Sequence, residues 1–310
     1  MKCNLLKMIV TSVLLSAISL GVQASPATPQ TTITPNADTF PEILIFISPH
    51  PDDIPLTFAG LIQRNGGFIN HSNQILDIFS RSQWTENTDP DDLSKYRIDT
   101  VSRERKTEDR LALKDMFHDH LSYKYYGYPD APIRQYHGPK TAGGGPAGNF
   151  STFGPQEKSI YTELVPIMET KLKTPNCAMF VLMANGYHID HFIVREAVIT
   201  AARNLGDKAL CQIYFGEDQP YTGAFIDASQ KQMQAFSNRL NLQKISYEID
   251  KNYKESIFTK YYISQYSPDY IKGIDKWDTF DKHDEDIYLW PKEDYAKAPI
   301  EEHCTEAFCK

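Results

Sequence analysis

The sequence has few cysteines and no excess of basic residues, and both features restrict its function. Only five of the 310 residues are cysteine, and their spacing matches no zinc–thiolate site. The 32 Lys and Arg residues against 40 Asp and Glu residues give a net charge of −8, and no basic stripe runs along the chain. This composition argues against a broad nucleic-acid-binding surface.

Glycine-rich sequence is also rare, and the one stretch that concentrates glycine is not a phosphate-binding loop. Gly143-Gly144-Gly145-Pro146 lacks the required spacing and the Lys-Ser/Thr ending. The surrounding segment, residues 127–154, is loop-like. We expect it to be either a mobile loop over a site or a plain excursion on the surface.

The N-terminal apolar run, Met8–Leu20, is short for a membrane span. Lys2 and Lys7 precede it, and small residues end the segment at Ala24, which is the pattern of a secretory signal peptide over residues 1–24. We expect cleavage after Ala24, export to the periplasm or the extracellular space, and no stable membrane insertion afterwards. Residues 25–40 are then a flexible mature N-terminus. An uncleaved anchor is the alternative.

Four cysteines remain after such a cleavage, and an exported chain permits disulfides. Cys304 and Cys309 enclose a short loop, whereas Cys177 and Cys211 each open an apolar, strand-like run and would be neighbours in a sheet. Four cysteines allow three pairings, and the sequence does not choose among them.

Apolar strand-like runs alternate with longer helix-compatible segments from residue 41 onward. The predicted strands are 43–48, 74–80, 121–126, 177–183 and 209–215, and the predicted helices are 56–65, 98–117, 156–173 and 192–205. This βαβα order predicts an α/β fold with a mostly parallel sheet and helices on both faces. We expect a single domain over residues 41–310, with a charged and aromatic C-terminal extension from about residue 266 that wraps it.

Two His/Asp clusters follow predicted strands. Pro49-His50-Pro51-Asp52-Asp53 leaves the carboxyl end of the first strand, and His188-Ile189-Asp190-His191 follows the strand 177–183. Ligands of open α/β sheets bind at that edge, so the two clusters can converge. Two histidines and a carboxylate with an open position form a recurrent catalytic zinc arrangement, and a carboxylate beside the metal-bound water can act as general base. The remaining histidines lie in polar surroundings and are expected at the surface: His71, His118, His120, His137, His283 and His303.

Taken in order along the chain, these clusters resemble the LmbE-like, or PIG-L, family of metal-dependent de-N-acetylases. The resemblance runs from about residue 42 to about residue 265. Three weaker motifs support it: Arg105-x-x-Glu108-x-x-x-Ala112, Tyr128-Pro129-Asp130, and Lys260-Tyr261-Tyr262-Ile263-Ser264-Gln265.

The resemblance implies a Rossmann-like fold and assigns roles to residues of this chain. His50, Asp53 and His191 would be the metal ligands, and Asp52 the general base on the metal-bound water. His188 would stabilise the oxyanion or hand a proton to the leaving amine. The remaining candidates are Asp190, which orients a histidine or serves as a helix N-cap, and the substrate-binding residues Arg105, Tyr128 and Asp130.

The implied activity is zinc-dependent removal of the N-acetyl group from an N-acetylglucosamine-type amino sugar, with one metal ion per chain. Fe²⁺ or Mn²⁺ also suits two histidines and a carboxylate. The 18 Tyr and three Trp residues fit a sugar site, although ordinary packing also explains them. Ile54-Pro55 departs from the Glu that follows HPDD in many members of the family. The alternatives are a hydrolase of another N-acyl amide and a non-catalytic carbohydrate-binding secreted protein.

Overall fold

The computed structural model describes residues 39–86, 92–140, 145–281 and 284–299. All of them belong to one compact unit. The predicted signal peptide, most of the flexible segment after it, and the suggested pair Cys304 and Cys309 lie outside the described residues. The predicted domain boundaries therefore stay predictions.

Among the described residues, seven strands form the sheet and eight α-helices surround it. The strands are β1 (Ile43–Ser48), β2 (Ser72–Asp77), β3 (Leu121–Tyr125), β4 (Cys177–Leu182), β5 (Gln212–Gly216), β6 (Gln243–Glu248) and β7 (Asp284–Trp290). The helices are α1 (Asp53–Arg64), α2 (Lys95–Met116), α3 (Pro155–Leu172), α4 (Ile189–Leu205), α5 (Tyr221–Ala224), α6 (Ile226–Leu240), α7 (Lys251–Tyr261) and α8 (Pro268–Phe280). Short 3₁₀ turns lie at 66–68, 150–152, 185–187, 206–208 and 292–297.

The strand order in the sheet is β3-β2-β1-β4-β5-β7-β6. The first five of these strands are mutually parallel, whereas β7 runs antiparallel to both β5 and β6. The chain reverses its winding direction between β1 and β4, and such a switch point opens a crevice at the carboxyl ends of the strands. The predicted mostly parallel sheet is confirmed.

The central strands are apolar throughout because both faces of the sheet are covered. In β1, Ile45 and Ile47 pack on one face, with α3, α4 and α6, while Leu44 and Phe46 pack on the other, with α1, α2 and α7. The continuous apolar runs in β1 and β4 follow from this double burial.

The C-terminal extension was expected to wrap the domain, and the structure instead gives it two regular elements, α8 and β7. β7 inserts between β5 and β6, so residues beyond 266 complete the sheet. Among the described residues, no helix has the length and apolar character needed to cross a membrane.

A disulfide joins Cys177 to Cys211, one of the pairs that the sequence left open. Cys177 opens β4 and Cys211 immediately precedes β5, which are neighbouring parallel strands. Both cysteines are buried.

Candidate active site

The turn between β1 and α1 presents His50, Asp52 and Asp53 at the carboxyl edge of the sheet. The backbone N–H of His50 donates to Asp53 Oδ2 at 2.7 Å, which fixes the carboxylate against the turn. Asp52 has φ 145° and ψ −22°, a backbone conformation that residues other than glycine rarely adopt. Strained backbone of this kind clusters at functional sites.

His50, Asp53 and His191 form a compact triangle of donor atoms. His50 Nδ1 lies 3.1 Å from His191 Nε2, and Asp53 Oδ2 lies 3.5 Å and 3.4 Å from these two nitrogens. Donors about 2.0–2.2 Å from a tetrahedral ion are about 3.3–3.6 Å apart, so this triangle fits one face of such a coordination shell. All three residues are buried.

His188 stands beside the triangle. One ring nitrogen from each of His50, His188 and His191 lies within 4.8 Å of the others, so His188 also belongs to a buried set that can hold a metal ion. His188 Nδ1 accepts a hydrogen bond from the backbone N–H of Asp190 at 3.3 Å, so its neutral form carries the proton on Nε2. Burial lowers the pKa of His188 well below its usual value, which favours that neutral form.

Each of the other two histidines is held from behind by a buried carboxylate. His50 Nε2 lies 2.9 Å from Asp190 Oδ2, and His191 Nδ1 lies 2.7 Å from Asp218 Oδ1. Asp190 in turn accepts from Arg134 at 2.6 Å, and Asp218 accepts from the backbone N–H of Asn185 at 2.6 Å. Such partners fix the orientation of metal-binding imidazoles and raise their basicity.

The charges of the site favour a cation. Burial lowers the pKa of His50, but hydrogen bonds to Asp190 and Asp53 outweigh it and raise that pKa to about 10. Burial raises the pKa of Asp53, but the charge of His191 and the hydrogen bond with His50 bring it down to about 2. The carboxylates thus hold protons on the imidazoles, and a bound metal ion would displace those protons.

Asp52 faces the pocket without belonging to the donor triangle. Burial raises the pKa of Asp52 to about 7, although the nearby charge of Arg105 opposes this. Arg105 Nη2 lies 3.4 Å from Asp52 Oδ2, and its Nη1 donates to Ser82 Oγ at 2.9 Å. A carboxylate whose pKa lies near neutrality suits a general base.

The pocket above these residues has a volume of about 840 Å³. Residues 135–140 of the loop-like segment form one part of its lining, and His137, which is exposed as expected, belongs to this part. Trp84 and Tyr270 form another part, with their rings stacked at 6.3 Å. Tyr270 comes from α8, so the C-terminal extension shapes the pocket.

Two of the three predicted substrate-binding residues line the pocket, and the third does not. Arg105 and Asp130 line the pocket. Tyr128 does not, because its hydroxyl points to α3 and donates to Glu163 at 3.0 Å. Asp190 is not the N-cap of α4, since His188 caps that helix.

Two of the weaker motifs meet in space. Glu108 accepts hydrogen bonds from the backbone N–H of Ser264 at 2.7 Å, from its hydroxyl at 2.6 Å and from the Gln265 side chain at 3.2 Å. The helix motif and the late SQ motif therefore form one contact that anchors the end of α7 against α2.

Sequence reasoning missed Asp218 and Arg134. Asp218 lies two residues beyond β5, at the same sheet edge as the two clusters, and this position was the available signal. Arg134 lies in the loop-like segment, where no pattern marked it.

Comparisons with known proteins agree with this architecture. A 2'-N-acetylparomamine deacetylase of Streptomyces fradiae is 27% identical over 179 residues, which cover 58% of this chain and 57% of that protein. The chain thus spans little more than half the length of this curated relative.

Two solved structures share the fold at 16% sequence identity. The zinc-inhibited form of teicoplanin deacetylase Orf2 has a TM-score of 0.53, with 80% of this chain and 97% of that chain covered. The A40926 pseudoaglycone deacetylase Dbv21 has a TM-score of 0.51, with 79% and 96% covered.

The family model for GlcNAc-PI de-N-acetylase (PIG-L) matches residues 45–202, a span that begins within β1 and ends within α4. It includes both His/Asp clusters and covers half of the chain. The predicted family is confirmed, and the chain belongs to the PIG-L, or LmbE-like, family.

Proposed function

We propose that this protein is a metal-dependent N-deacetylase that releases acetate from an N-acetylated amino sugar. The single observation that carries the proposal is the donor triangle of His50, Asp53 and His191 beside Asp52 at the base of the pocket. The site thus combines a place for a divalent ion with a carboxylate of near-neutral pKa. Zinc is the ion that two histidines and one carboxylate fit best, and Fe²⁺ or Mn²⁺ remains compatible with them.

The residues divide the reaction between them. A divalent ion in the triangle would supply a Lewis acid that polarises the amide carbonyl and lowers the pKa of water. Asp52 takes a proton from the attacking water while the oxygen of that water bonds to the carbonyl carbon. His188 donates a hydrogen bond from Nε2 to the carbonyl oxygen as negative charge develops there. The C–N bond then breaks, and the proton held by Asp52 passes to the departing amine, giving acetate and a free amino sugar.

The names of the relatives support an amino-sugar substrate. The matched Streptomyces fradiae protein is named for 2'-N-acetylparomamine, an acetylated amino sugar. The aromatic lining from Trp84 and Tyr270 suits the apolar face of a sugar ring. A hydrolase of another N-acyl amide would use the same donor triangle. A purely carbohydrate-binding protein would need neither the triangle nor Asp52.

The test is acetate release from a panel of N-acetylated sugars and N-acyl amino acids by the protein loaded with zinc. Asp52→Asn should lower kcat by roughly 100- to 10,000-fold while one metal ion per chain remains bound, since a positioned base contributes roughly 10²–10⁴-fold. Asp227→Asn, which changes an exposed carboxylate on α6, should leave kcat unchanged. Full activity of the Asp52 variant would remove it as the base, and metal binding without acetate release from any sugar would refute the substrate class.

We also propose that the chain is exported and that residues 1–24 are removed. The charged start, the short apolar run and the small residues before position 25 support this. Mass analysis of protein secreted by a bacterial host should give a mature chain that begins at Ser25. An intact N-terminus on the exported protein would contradict it.

A further inference from the structure

A second concavity, of about 480 Å³, lies along the outer edge of the sheet. It runs between α2 and the end of the edge strand β3, and it shares no lining residue with the active-site pocket. We call it the edge groove. Its lining residues are Arg81, Asp99, Ser102, Arg103, Lys106, Thr107, Arg110 and Tyr125.

The edge groove is basic although the protein is acidic. It contains four cationic side chains and one carboxylate, a net charge of +3, whereas the chain carries −8. The carboxylate of Asp99 is already paired with Lys95 one turn earlier on α2. Within the part of the chain that the structure describes, none of the four cationic side chains makes an ion pair or a side-chain hydrogen bond.

The four cations lie together because three of them share one face of α2 and the fourth comes from the adjoining edge of the sheet. Arg103, Lys106 and Arg110 are spaced at i, i+3 and i+7, so they share one face of α2. Arg81, from the segment after β2, adds a fourth charge. Lys106 reaches over the ring of Tyr125 with its ammonium 5.3 Å from the ring centre. Burial lowers the pKa of Lys106, the charge of Asp77 opposes this, and the charge of Arg81 lowers that pKa further.

Arg81, Arg103 and Arg110 are exposed, so water screens most of their mutual repulsion, and a bound anion would offset the part that remains. Three guanidinium groups and an ammonium exceed what a single carboxylate can accept, whereas a phosphate group accepts several bidentate contacts. The volume lies within the range of about 300–1,000 Å³ for small-ligand sites. The acidic remainder of the protein disfavours a long polyanion such as a nucleic acid.

We propose that the edge groove binds a small, multiply charged oxyanion of the phosphate class. This site is distinct from the catalytic pocket, and the proposal does not depend on the deacetylase activity. The ligand class is a phosphorylated small molecule rather than a membrane surface, because the cations line a concave groove of limited volume.

Titration with inorganic pyrophosphate at about 0.15 M salt, where interactions between exposed charges are already screened, tests the proposal. Calorimetry on the metal-loaded wild type should show binding that the Arg103→Glu/Arg110→Glu variant weakens at least tenfold. Lys158→Glu/Lys231→Glu is the matched control, since it makes the same charge change at exposed positions on α3 and α6. Its binding should stay within twofold of the wild type.

Three outcomes would overturn the proposal. Absence of pyrophosphate binding to the wild type would do so. Equal weakening in the two double variants would indicate a general charge effect. Unchanged binding in the Arg103/Arg110 variant would assign the anion to the metal site instead. Equal melting temperatures of the two variants establish that both are folded.

Vesicles separate the soluble ligand from a lipid headgroup. Neither wild type nor variant should sediment with vesicles of anionic phospholipid any more than with zwitterionic vesicles. Sedimentation that depends on Arg103 and Arg110, in the absence of pyrophosphate binding, would replace the proposed site with a membrane-contact surface.

Discussion

The two imidazoles of the donor triangle differ in how their supporting carboxylates are themselves held. Asp190 is fixed by Arg134 and by the backbone N–H of Ala131, whereas Asp218 is fixed by a single backbone donor, the N–H of Asn185. Both imidazoles contact their carboxylate directly, and the two carboxylates differ in how they are anchored to the rest of the protein.

Asp218→Asn should weaken metal binding by about 10–100-fold, since losses of this size follow removal of a partner behind a metal-binding histidine. The amide keeps the shape of the side chain but withdraws the negative charge that supports the imidazole. Competition with a chelator, read as metal content per chain, measures the effect. Asp227→Asn on exposed α6 is the control, and an Asp218 variant that holds metal as tightly as the control would show that His191 needs no such support.

The sequence was sufficient to identify the residues that lie directly after strands. Both His/Asp clusters follow apolar runs, and they converge as the shared sheet edge requires. Asp218 and Arg134 were not identified from the sequence, because neither lies beside a histidine along the chain. Their roles arise only when β5 and the loop after β3 are brought against α4.

Residues on one face of the helix α2 contact both the pocket and the segment that follows α7. Arg105 reaches Asp52, Glu108 binds Ser264, and Asp109 accepts a hydrogen bond from Tyr262 at 2.8 Å. Asp109 is almost fully buried, and burial raises its pKa to about 8 against the effect of that hydrogen bond. The folded protein therefore keeps this carboxyl protonated at a pH where the unfolded chain does not.

The sign of the resulting pH dependence follows from proton binding. Between the unfolded value near 4 and the folded value of about 8, the folded state holds the extra proton, so Asp109 destabilises the protein increasingly as pH rises. Asp109→Asn keeps the acceptor for Tyr262 and removes the titration. Its stability relative to wild type should grow between pH 5 and 8, reach roughly 1–3 kcal/mol after allowance for relaxation, and level off above pH 8.

Urea denaturation at several pH values measures this difference. Asp115→Asn, on the same helix, is the control: its pKa is lowered by the hydrogen bond from Tyr261, so it should change stability without altering the slope between pH 5 and 8. Parallel pH curves for Asp109→Asn and wild type would show that this carboxyl is ionised in the folded protein.

The short helix α5 and the helix α8 approach each other at glycine. A Cβ at Gly223 would lie 1.7 Å from the carbonyl oxygen of Gly273, so no side chain fits there without moving α8. Since α8 carries Tyr270, this contact also positions that ring in the pocket lining.

Gly223→Ala should destabilise the protein by about 1–3 kcal/mol, the usual cost of overpacking, and raise KM as α8 moves away from Trp84. Ala224→Ser at the adjacent exposed position should have little effect on either quantity. Denaturation and initial-rate measurements test the two parts, and wild-type stability for Gly223→Ala would show that α8 shifts at no cost.

Most helices and strands could be predicted to within about three residues of their observed bounds. Burial against the two covered faces of the sheet imposes a regular pattern of apolar residues on their sequences. The helices α5 to α8 were not predicted, and neither were β6 and β7. Their sequences, QKISYE and DEDIYLW, mix charges with apolar residues, as expected away from the doubly covered centre of the sheet. Their pairing depends on contacts between distant segments, which no local pattern records.

At the scale of the whole molecule, the Cys177–Cys211 disulfide and the C-terminal strand β7 both link strands of the sheet. The Cys177–Cys211 disulfide closes a loop with a sequence separation of 34 between two central strands. An exported protein would meet the oxidising conditions in which such a bond forms.

Cys177→Ala/Cys211→Ala should lower the free energy of unfolding by roughly 3–4 kcal/mol, because the open chain regains the entropy that a loop of this length removes. The reduced wild type should lose a similar amount, which separates the link itself from the packing of the two side chains. Chemical denaturation with and without reductant measures both, and equal stability of the oxidised and reduced wild type would contradict the prediction.

The position of β7 has a consequence for how the protein is made. β6 pairs with β7 and with no other described strand, and β7 occupies the space between β6 and β5. During synthesis, β5 and β6 emerge with open edges and wait until residue 290 has left the ribosome. Open strand edges invite pairing with other chains, so the sheet of the nascent protein is vulnerable until β7 has been synthesised.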